Sequence, residues 1–403
     1  MANIFCVYAA SGDILDSGAE ASLDLPATPY EMLDALDKLR LPEGGSVKFR
    51  VDEYYRFGSL VPFLSEPHDL NELNALAQKL SDLDDGQAVA FEGLLMIQCR
   101  TKKAPIELSD LIDLAYSTSC CHVVGEALND SQLGRFCAES GFVPGAENLP
   151  DDLFELLDFE RIGREHRQRE GGVLMERTAD HPGGYVEQHS ELAEVYKSLD
   201  LTTKQPDYTI LLEVSKGFFN DPEYDSDKVV QLKLPAAPEA LDAALTALDV
   251  WDWREVGWCG LDCKVPALTE MLSDDDDIHS INCLAQTLAD MQPKVLNTYK
   301  ALLSATDCKT LPQAEGLMDT MDQYIFSPQY SSPIEVAKGE LSLILSEPDR
   351  ELVVSHMNLY QYGQALVEKC GGVLTEYGLI ERKDSQPVQA VKEQLQWGGM
   401  EMT

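Results

Sequence analysis

The apolar residues of this chain follow two periods, and the switches between them mark out its elements. Ile4-Phe5-Cys6-Val7-Tyr8 and Tyr208-Thr209-Ile210-Leu211-Leu212 are β-branched and aromatic runs of the kind that form strands. Further on, Pro29 opens a helical stretch, EMLDALDKL from Glu31, and Pro238 opens another, EALDAALTAL from Glu239; proline suits a first helical turn. Phe49 and Val51 suggest a further strand. Leu70, Leu73, Leu76, Ala77 and Leu80 then recur at helical spacing. Asp69 is placed to cap that helix, with Glu72 three positions on as the return arm of a capping box. Beyond residue 87 the pattern is mostly helical.

These elements come twice. LDLPATP at 23–29 matches LKLPAAP at 232–238, LNALAQKLSDLD from Leu73 matches INCLAQTLADMQ from Ile281, and Leu94-Leu95 matches Leu302-Leu303, at an offset of 208–209. GGVL recurs at 171 and 371, where the offset has fallen to 200, so the second copy is a few residues shorter. Copies of about 190 residues are far longer than a solenoid repeat of roughly 20–50. The chain therefore reads as a tandem duplication of a whole fold unit.

The fold class expected is α+β: an elongated multi-domain chain in which each copy is a small antiparallel sheet with helices, followed by helical subdomains. On this reading residues 1–100 are the α/β subdomain of the first copy and 101–190 its helical and C-terminal subdomains. Residues 191–206 are a linker, 207–304 the second α/β subdomain, 305–382 its helical and C-terminal subdomains, and 383–403 a polar, flexible tail.

Charge changes the picture most. The 403 residues carry 70 Asp and Glu against 31 Lys and Arg, a net charge of −39, while apolar content is an ordinary 44%. There is material for real cores, so the charge is not a mark of disorder. The excess is even: 37 acids against 16 bases in the first 200 residues, 33 against 15 in the rest. Such a surface repels nucleic acid and anionic membranes and attracts basic proteins. Thirty-nine charges match roughly 66 Å of duplex, about 20 base pairs. No apolar run approaches the ~20 residues of a membrane span. No basic segment precedes an apolar one at the N-terminus, so a leader is not expected. The ten scattered cysteines then read as reduced thiols of a cytoplasmic protein.

The acids gather on faces opposite the apolar stripes. Asp82, Asp84, Asp85 and Glu92 surround one turn between helices. Glu107, Asp110 and Asp113 stand at i, i+3 and i+6; Glu126, Asp130 and Glu139 follow. Asp151, Asp152, Glu155, Asp158 and Glu160 make a further cluster. In the second copy Asp274, Asp275, Asp276 and Asp277 form a run of four, continued by Asp319 and Asp322 and then by Glu347, Asp349 and Glu351. Helical acids three or four apart stand about 5–6 Å from one another, a spacing of the same order as phosphates along a strand. These residues are the candidate partner-binding surface.

Catalytic and metal motifs are weak by comparison. There is no phosphate-binding glycine loop, no Gly-x-Ser-x-Gly elbow and no His-Glu-x-x-His helix. Cys120-Cys121-His122 reads as packing. Cys259 and Cys263 with His279 and Cys283 have zinc-ligand chemistry. The matching stretch of the first copy, near 50–75, has no such group, so the fold unit does without it. The segment 220–227 alternates oxygen ligands but lacks the central glycine and distal glutamate of a calcium loop. The expectation is no catalytic residue, no metal and no cofactor.

One resemblance is specific. Residues 4–8, the run LNELNALAQKLSDLDD from Leu70, DLIDLAYSTSCCHVVGEALNDSQLGRFCAESG from Asp110 and LPDDLFELLDFERIGREHRQREGGVL from Leu149 resemble the ArdA antirestriction family of mobile genetic elements over about 4–190. The most telling stretch is Asp158-Phe159-Glu160-Arg161-Ile162-Gly163-Arg164. The second copy carries Asn358-Leu359-Tyr360-Gln361-Tyr362-Gly363-Gln364 there, without the acid and the arginine. The resemblance implies a non-enzymatic acidic protein that imitates bent B-form DNA and occupies the DNA channel of a type I restriction–modification enzyme. It implies no binding to nucleic acid or membrane. Family members pair as dimers of a single copy, so this chain is expected to be a pseudo-dimer in itself or to pair again. The alternative reading is an acidic module for another basic DNA-binding complex: a CRISPR effector, a nuclease, RNA polymerase or a nucleoid protein.

Overall fold

In the computed structural model, which describes residues 2–11, 19–41, 45–202, 204–217, 228–273 and 276–390, one order of elements is run through twice. The first repeat gives β1 (Phe5–Ser11), β2 (Ala19–Leu25), α1 (Pro29–Leu39), β3 (Arg50–Tyr54), α2 (Leu70–Ser81), α3 (Asp85–Thr101) and α4 (Leu108–Tyr116), then β4 (Cys121–Val124), α5 (Asp130–Glu139), α6 (Asp151–Phe154), α7 (Phe159–Glu170), β5 (Val173–Met175) and β6 (Gly184–Gln188). The second repeat answers with β7 (Ile210–Lys216), β8 (Val229–Leu234), α8 (Pro238–Leu248), β9 (Val256–Cys263), α9 (Ile278–Asp290), α10 (Pro293–Ala305) and α11 (Leu311–Met318), then β10 (Tyr324–Ser327), α12 (Pro333–Ile344), α13 (Glu347–His356), α14 (Leu359–Cys370), β11 (Val373–Thr375) and β12 (Gly378–Arg382). The fold is α+β, with three-stranded sheets ordered β2-β1-β3, β4-β6-β5, β8-β7-β9 and β10-β12-β11.

The opening sheets repeat in detail. β1 pairs antiparallel with β3 and β7 with β9, and each register slips once, between Cys6 and Val7 and between Leu211 and Leu212. A buried Asn74 side chain in α2 accepts from the Ala27 amide at 2.8 Å and donates to its carbonyl at 3.1 Å; Asn282 in α9 does the same for Ala236 at 2.7 and 3.0 Å. The stretch read as mostly helical ends, in both repeats, in a second small sheet. Its strands of three to five residues are too short to show a period of two. The repeats differ most inside that sheet: β5 and β6 are joined by residues 176–183, β11 and β12 by 376–377 alone.

Local chemistry fixes the ends of the helices. Thr28 and Glu31 make a reciprocal capping box on α1, as do Asp84 and Gln87 on α3. Asp69 caps α2, accepting from the Asn71 amide at 2.8 Å. Glu72 does not complete a box there, because its carboxylate takes the Tyr196 hydroxyl instead. The five residues at helical spacing in α2, Leu70, Leu73, Leu76, Ala77 and Leu80, are all buried.

Contacts divide the chain into two units. The first comprises residues 1–8, 22–27 and 48–202; the second comprises 9–21, 28–47 and 203–403. The break after residue 202 falls inside the segment read as a linker, yet α1, encoded by the first repeat, belongs to the second unit. In the first unit the apolar face of α2 and the middle of α3, buried on every side from Ala88 to Leu95, form the core. In the second a continuous core runs from Ile210 in β7 to Ile380 in β12. The end of the chain read as a tail falls in part, at 391–403, outside the described residues. Among the described residues no helix is long and apolar enough to cross a membrane.

Candidate functional site: the carboxylate surface

Both units are strongly anionic: the first holds 30 acids against 14 bases, the second 40 against 17. Of the acids picked out by spacing, Asp82, Asp84, Asp85, Glu107, Glu126, Glu139, Asp151, Asp152, Glu155, Asp158 and Glu160 are exposed in the first unit. Asp277, Asp319, Asp322, Glu347, Asp349 and Glu351 are exposed in the second. Asp110, Asp113, Asp130 and Asp276 are half-buried, and Asp274 and Asp275 lie outside the described residues.

Glu92 is not a surface acid. It is 6% exposed, its Oε1 accepts from the Ser59 hydroxyl at 2.5 Å, and its Oε2 meets His181 Nε2 at 2.6 Å. The sequence around it explains why: Ala88, Val89, Ala90, Phe91, Leu94 and Leu95 are also buried, so α3 has no solvent face at that level. His181 lies in the longer β5–β6 connection, which exists only in the first repeat. Its neighbour Asp180 accepts from the Phe57 amide at 2.9 Å and faces Arg56 at 3.4 Å. Spacing alone groups Glu92 with Asp82, Asp84 and Asp85, but the apolar residues on either side of it place it in the core.

Asp110 and Asp113 also do local work. Asp110 takes Lys102 at 2.5 Å and the Glu107 amide at 2.8 Å. Asp113 Oδ1 accepts from the amides of Val195 and Tyr196, each at 2.7 Å. With the Glu72–Tyr196 bond, Asp113 lays residues 195–196 of the linker against α4.

The most basic stretch of the chain is neutralised internally. In α7, Arg161 pairs with Glu165 at 2.7 Å, Arg164 with Glu160, and Arg169 with Glu170 at 2.7 Å. Arg167 forks onto Asp130 of α5 at 2.8 and 2.9 Å, which holds the Asp130 carboxyl below its usual range. Arg135 forks onto Glu155 at 3.0 and 2.7 Å. Asp158 caps α7, accepting from the Arg161 amide at 3.0 Å. Asn358 does the same for Gln361 in α14 at 3.1 Å, so the second repeat keeps the cap while losing its charge. What remains uncompensated is informative: among the described residues Asp82, Asp84, Asp85, Glu126, Asp151, Asp152, Asp319, Asp322 and Glu351 are exposed and form no ion pair.

Glycines hold this arrangement together. A Cβ on Gly134 of α5 would lie 1.8 Å from the Phe159 carbonyl oxygen, and one on Gly163 of α7 would lie 1.9 Å from that of Asp130. The helices touch through their backbones. Gly363 stands in the same relation to Pro333, where a Cβ would fall 1.7 Å from its carbonyl oxygen. The glycine of the Asp158–Arg164 run is thus a crossing point, present in both repeats.

The four cysteine and histidine candidates are not brought together as a set. Cys263 is fully buried in β9, and burial pushes its thiol up to about 12. Cys283 is exposed and shares a groove on α9 and α11 with His279, Glu315 and Asp319. Burial pushes Cys121 up to about 11, the wrong direction for a nucleophile. Among the described residues no group of three or more His, Cys, Asp or Glu is placed to hold a metal ion. The candidate calcium loop, 220–227, lies outside the described residues. Compared with models of known protein families and with curated proteins, the chain matches none.

Proposed function

We propose that this protein is an antirestriction protein that mimics B-form DNA and competes for the DNA-binding channel of type I restriction–modification enzymes in the cytoplasm, without itself being an enzyme. One observation carries the reading. The cations of the first unit's most basic helix are consumed by neighbouring carboxylates, while exposed acids are left uncompensated on both units. A DNA channel lined with Lys and Arg draws much of its affinity from neutralising phosphates. Carboxylates fixed on capped helices offer the same cations partners whose ordering was completed during folding. They present no base to methylate and no phosphodiester to cut. The ArdA-like stretch 149–174 supports the choice of target, since it coincides with α6, α7 and β5, where Asp151 and Asp152 stand free.

The experiment is inhibition of a type I restriction–modification enzyme by the purified chain over a range of salt. Inhibition should weaken steeply as salt rises. An inhibition constant that stays flat from low to moderate salt removes the electrostatic basis of the proposal.

A further inference from the structure

Helix α1 is encoded by the first repeat and built into the second unit, where polar groups hold it at every turn. At its start the Tyr30 amide donates to Asp262 Oδ2 at 3.3 Å, and the Tyr30 hydroxyl donates to the Tyr208 carbonyl. In its middle Asp34, 4% exposed, meets Lys300 Nζ at 2.7 Å, Lys38 Nζ at 3.1 Å and the Tyr377 hydroxyl at 2.9 Å. Lys300, also 4% exposed, reaches Asp37 at 3.3 Å. At its end Arg40 donates to the Pro328 carbonyl and the Ser331 hydroxyl and faces Glu335 at 3.5 Å.

The repeat itself supplies a control. Helices α1 and α8 both begin at a proline and both end on a left-handed residue, Arg40 and Asp249, so their positions correspond one to one. The core-facing positions agree: Met32, Ala35 and Leu39 are buried, as are Leu241, Ala244 and Leu248. The anchoring positions do not. Where α1 has Tyr30, Asp34, Asp37 and Lys38, α8 has Glu239, Ala243, Thr246 and Ala247, all exposed. The receiving side diverges as well. α3 and α10 begin at Asp85 and Pro293, which sets Glu92 in the place of Lys300.

We infer that Lys300 makes the β9–α10 face a receptor for one particular helix, α1, and that the Glu92/Lys300 charge reversal makes the two repeats non-interchangeable. A buried ammonium without a partner is strongly unfavourable, and Ala243 of α8 offers none. Asp34 placed against Glu92 would set two carboxylates together. The second repeat is therefore complete only with a helix that the first repeat encodes, chosen by charge rather than by its apolar face.

Amide hydrogen exchange on the full-length chain tests this. Asp34→Asn should accelerate exchange in β9, in residues Pro266–Met271 and in the β11–β12 hairpin by roughly 1,000-fold, the order expected for a buried pair broken on one side. Protection in α2 and α3 should not change. The double variant Asp34→Leu/Lys300→Met, which removes both charges, should regain most of the protection lost in Lys300→Met alone. Accelerated exchange confined to β3 and α2 overturns the inference. So does a double variant whose loss is the sum of the two single losses.

Discussion

Replacing Gly163 by alanine sets two effects of known size against each other. Alanine in a helix interior is favoured over glycine by about 1 kcal/mol. The new methyl, however, would sit 1.9 Å from the Asp130 carbonyl oxygen and 2.8 Å from the Gly134 nitrogen. Both are backbone atoms of a helix and cannot swing aside as a side chain would. The α5 and α7 backbones would have to part by roughly 1.5–2 Å to restore ordinary contact. Overpacking of this kind costs about 1–3 kcal/mol, occasionally more. The Arg167–Asp130 fork spans the same crossing and would be stretched with it. Overpacking outweighs propensity, and we expect a net loss of up to about 2 kcal/mol. Gly316 in α11 is the matched control, because a Cβ there meets nothing within 4 Å and its φ is not left-handed. Gly316→Ala should gain up to about 1 kcal/mol. Urea unfolding followed by far-ultraviolet circular dichroism measures both. Gly163→Ala as stable as the parent, or more so, would refute the close-crossing argument.

Three further predictions follow from the same geometry. Glu92→Gln keeps the shape of the side chain but deprives buried His181 of its carboxylate; thermal unfolding should report a loss of about 2–4 kcal/mol, with the salt dependence of inhibition unchanged. Asp151→Asn with Asp152→Asn removes uncompensated charge and should weaken inhibition, by no more than about 2 kcal/mol for the pair; Glu155→Gln should do less, because it frees Arg135 as it removes an acid, and equal effects in titrations of inhibition would contradict the pairing. Burial opposes ionisation of Asp34, but the Lys300 and Lys38 ammoniums hold its carboxyl below the usual carboxylate range; that stabilisation is present above the unfolded aspartate value of about 3.9 and is lost as pH falls through the lower folded value. Acid unfolding of the second unit, followed by hydrogen exchange, should therefore be shallower below pH 4 in Asp34→Leu/Lys300→Met than in the parent, and identical acid limbs would exclude this contribution.

Much of the fold could be read from the residues, and the parts that could not share a physical cause. The offset between LDLPATP and LKLPAAP located the repeat, and the Leu70–Leu80 spacing marked a helix whose apolar face is buried in full. Such signals are local: each depends on residues within a turn or two. The second sheet of each repeat was not legible because strands such as Val173–Met175 owe their pairing to Gly184–Gln188 rather than to a pattern of their own. The assignment of α1 to the second unit was hidden for the same reason, since its partner Lys300 lies 266 residues from Asp34. Among the candidate acids, charge alone could not separate free carboxylates from employed ones. Asp151 and Asp113 look alike in sequence. One stands in solvent, and the other accepts two backbone amides from a segment 82 residues away. Glu92 was the exception, because its setting of buried aliphatic and aromatic residues was already visible.

The decisive measurement is direct competition: a labelled duplex carrying the recognition site, bound to a type I methyltransferase, titrated with the purified full-length chain at low and at moderate salt. DNA mimicry requires the duplex to be released stoichiometrically, with the chain taking its place on the enzyme and the midpoint rising steeply with salt. A ternary complex in which duplex and chain are bound together, or no release at any concentration, would contradict it.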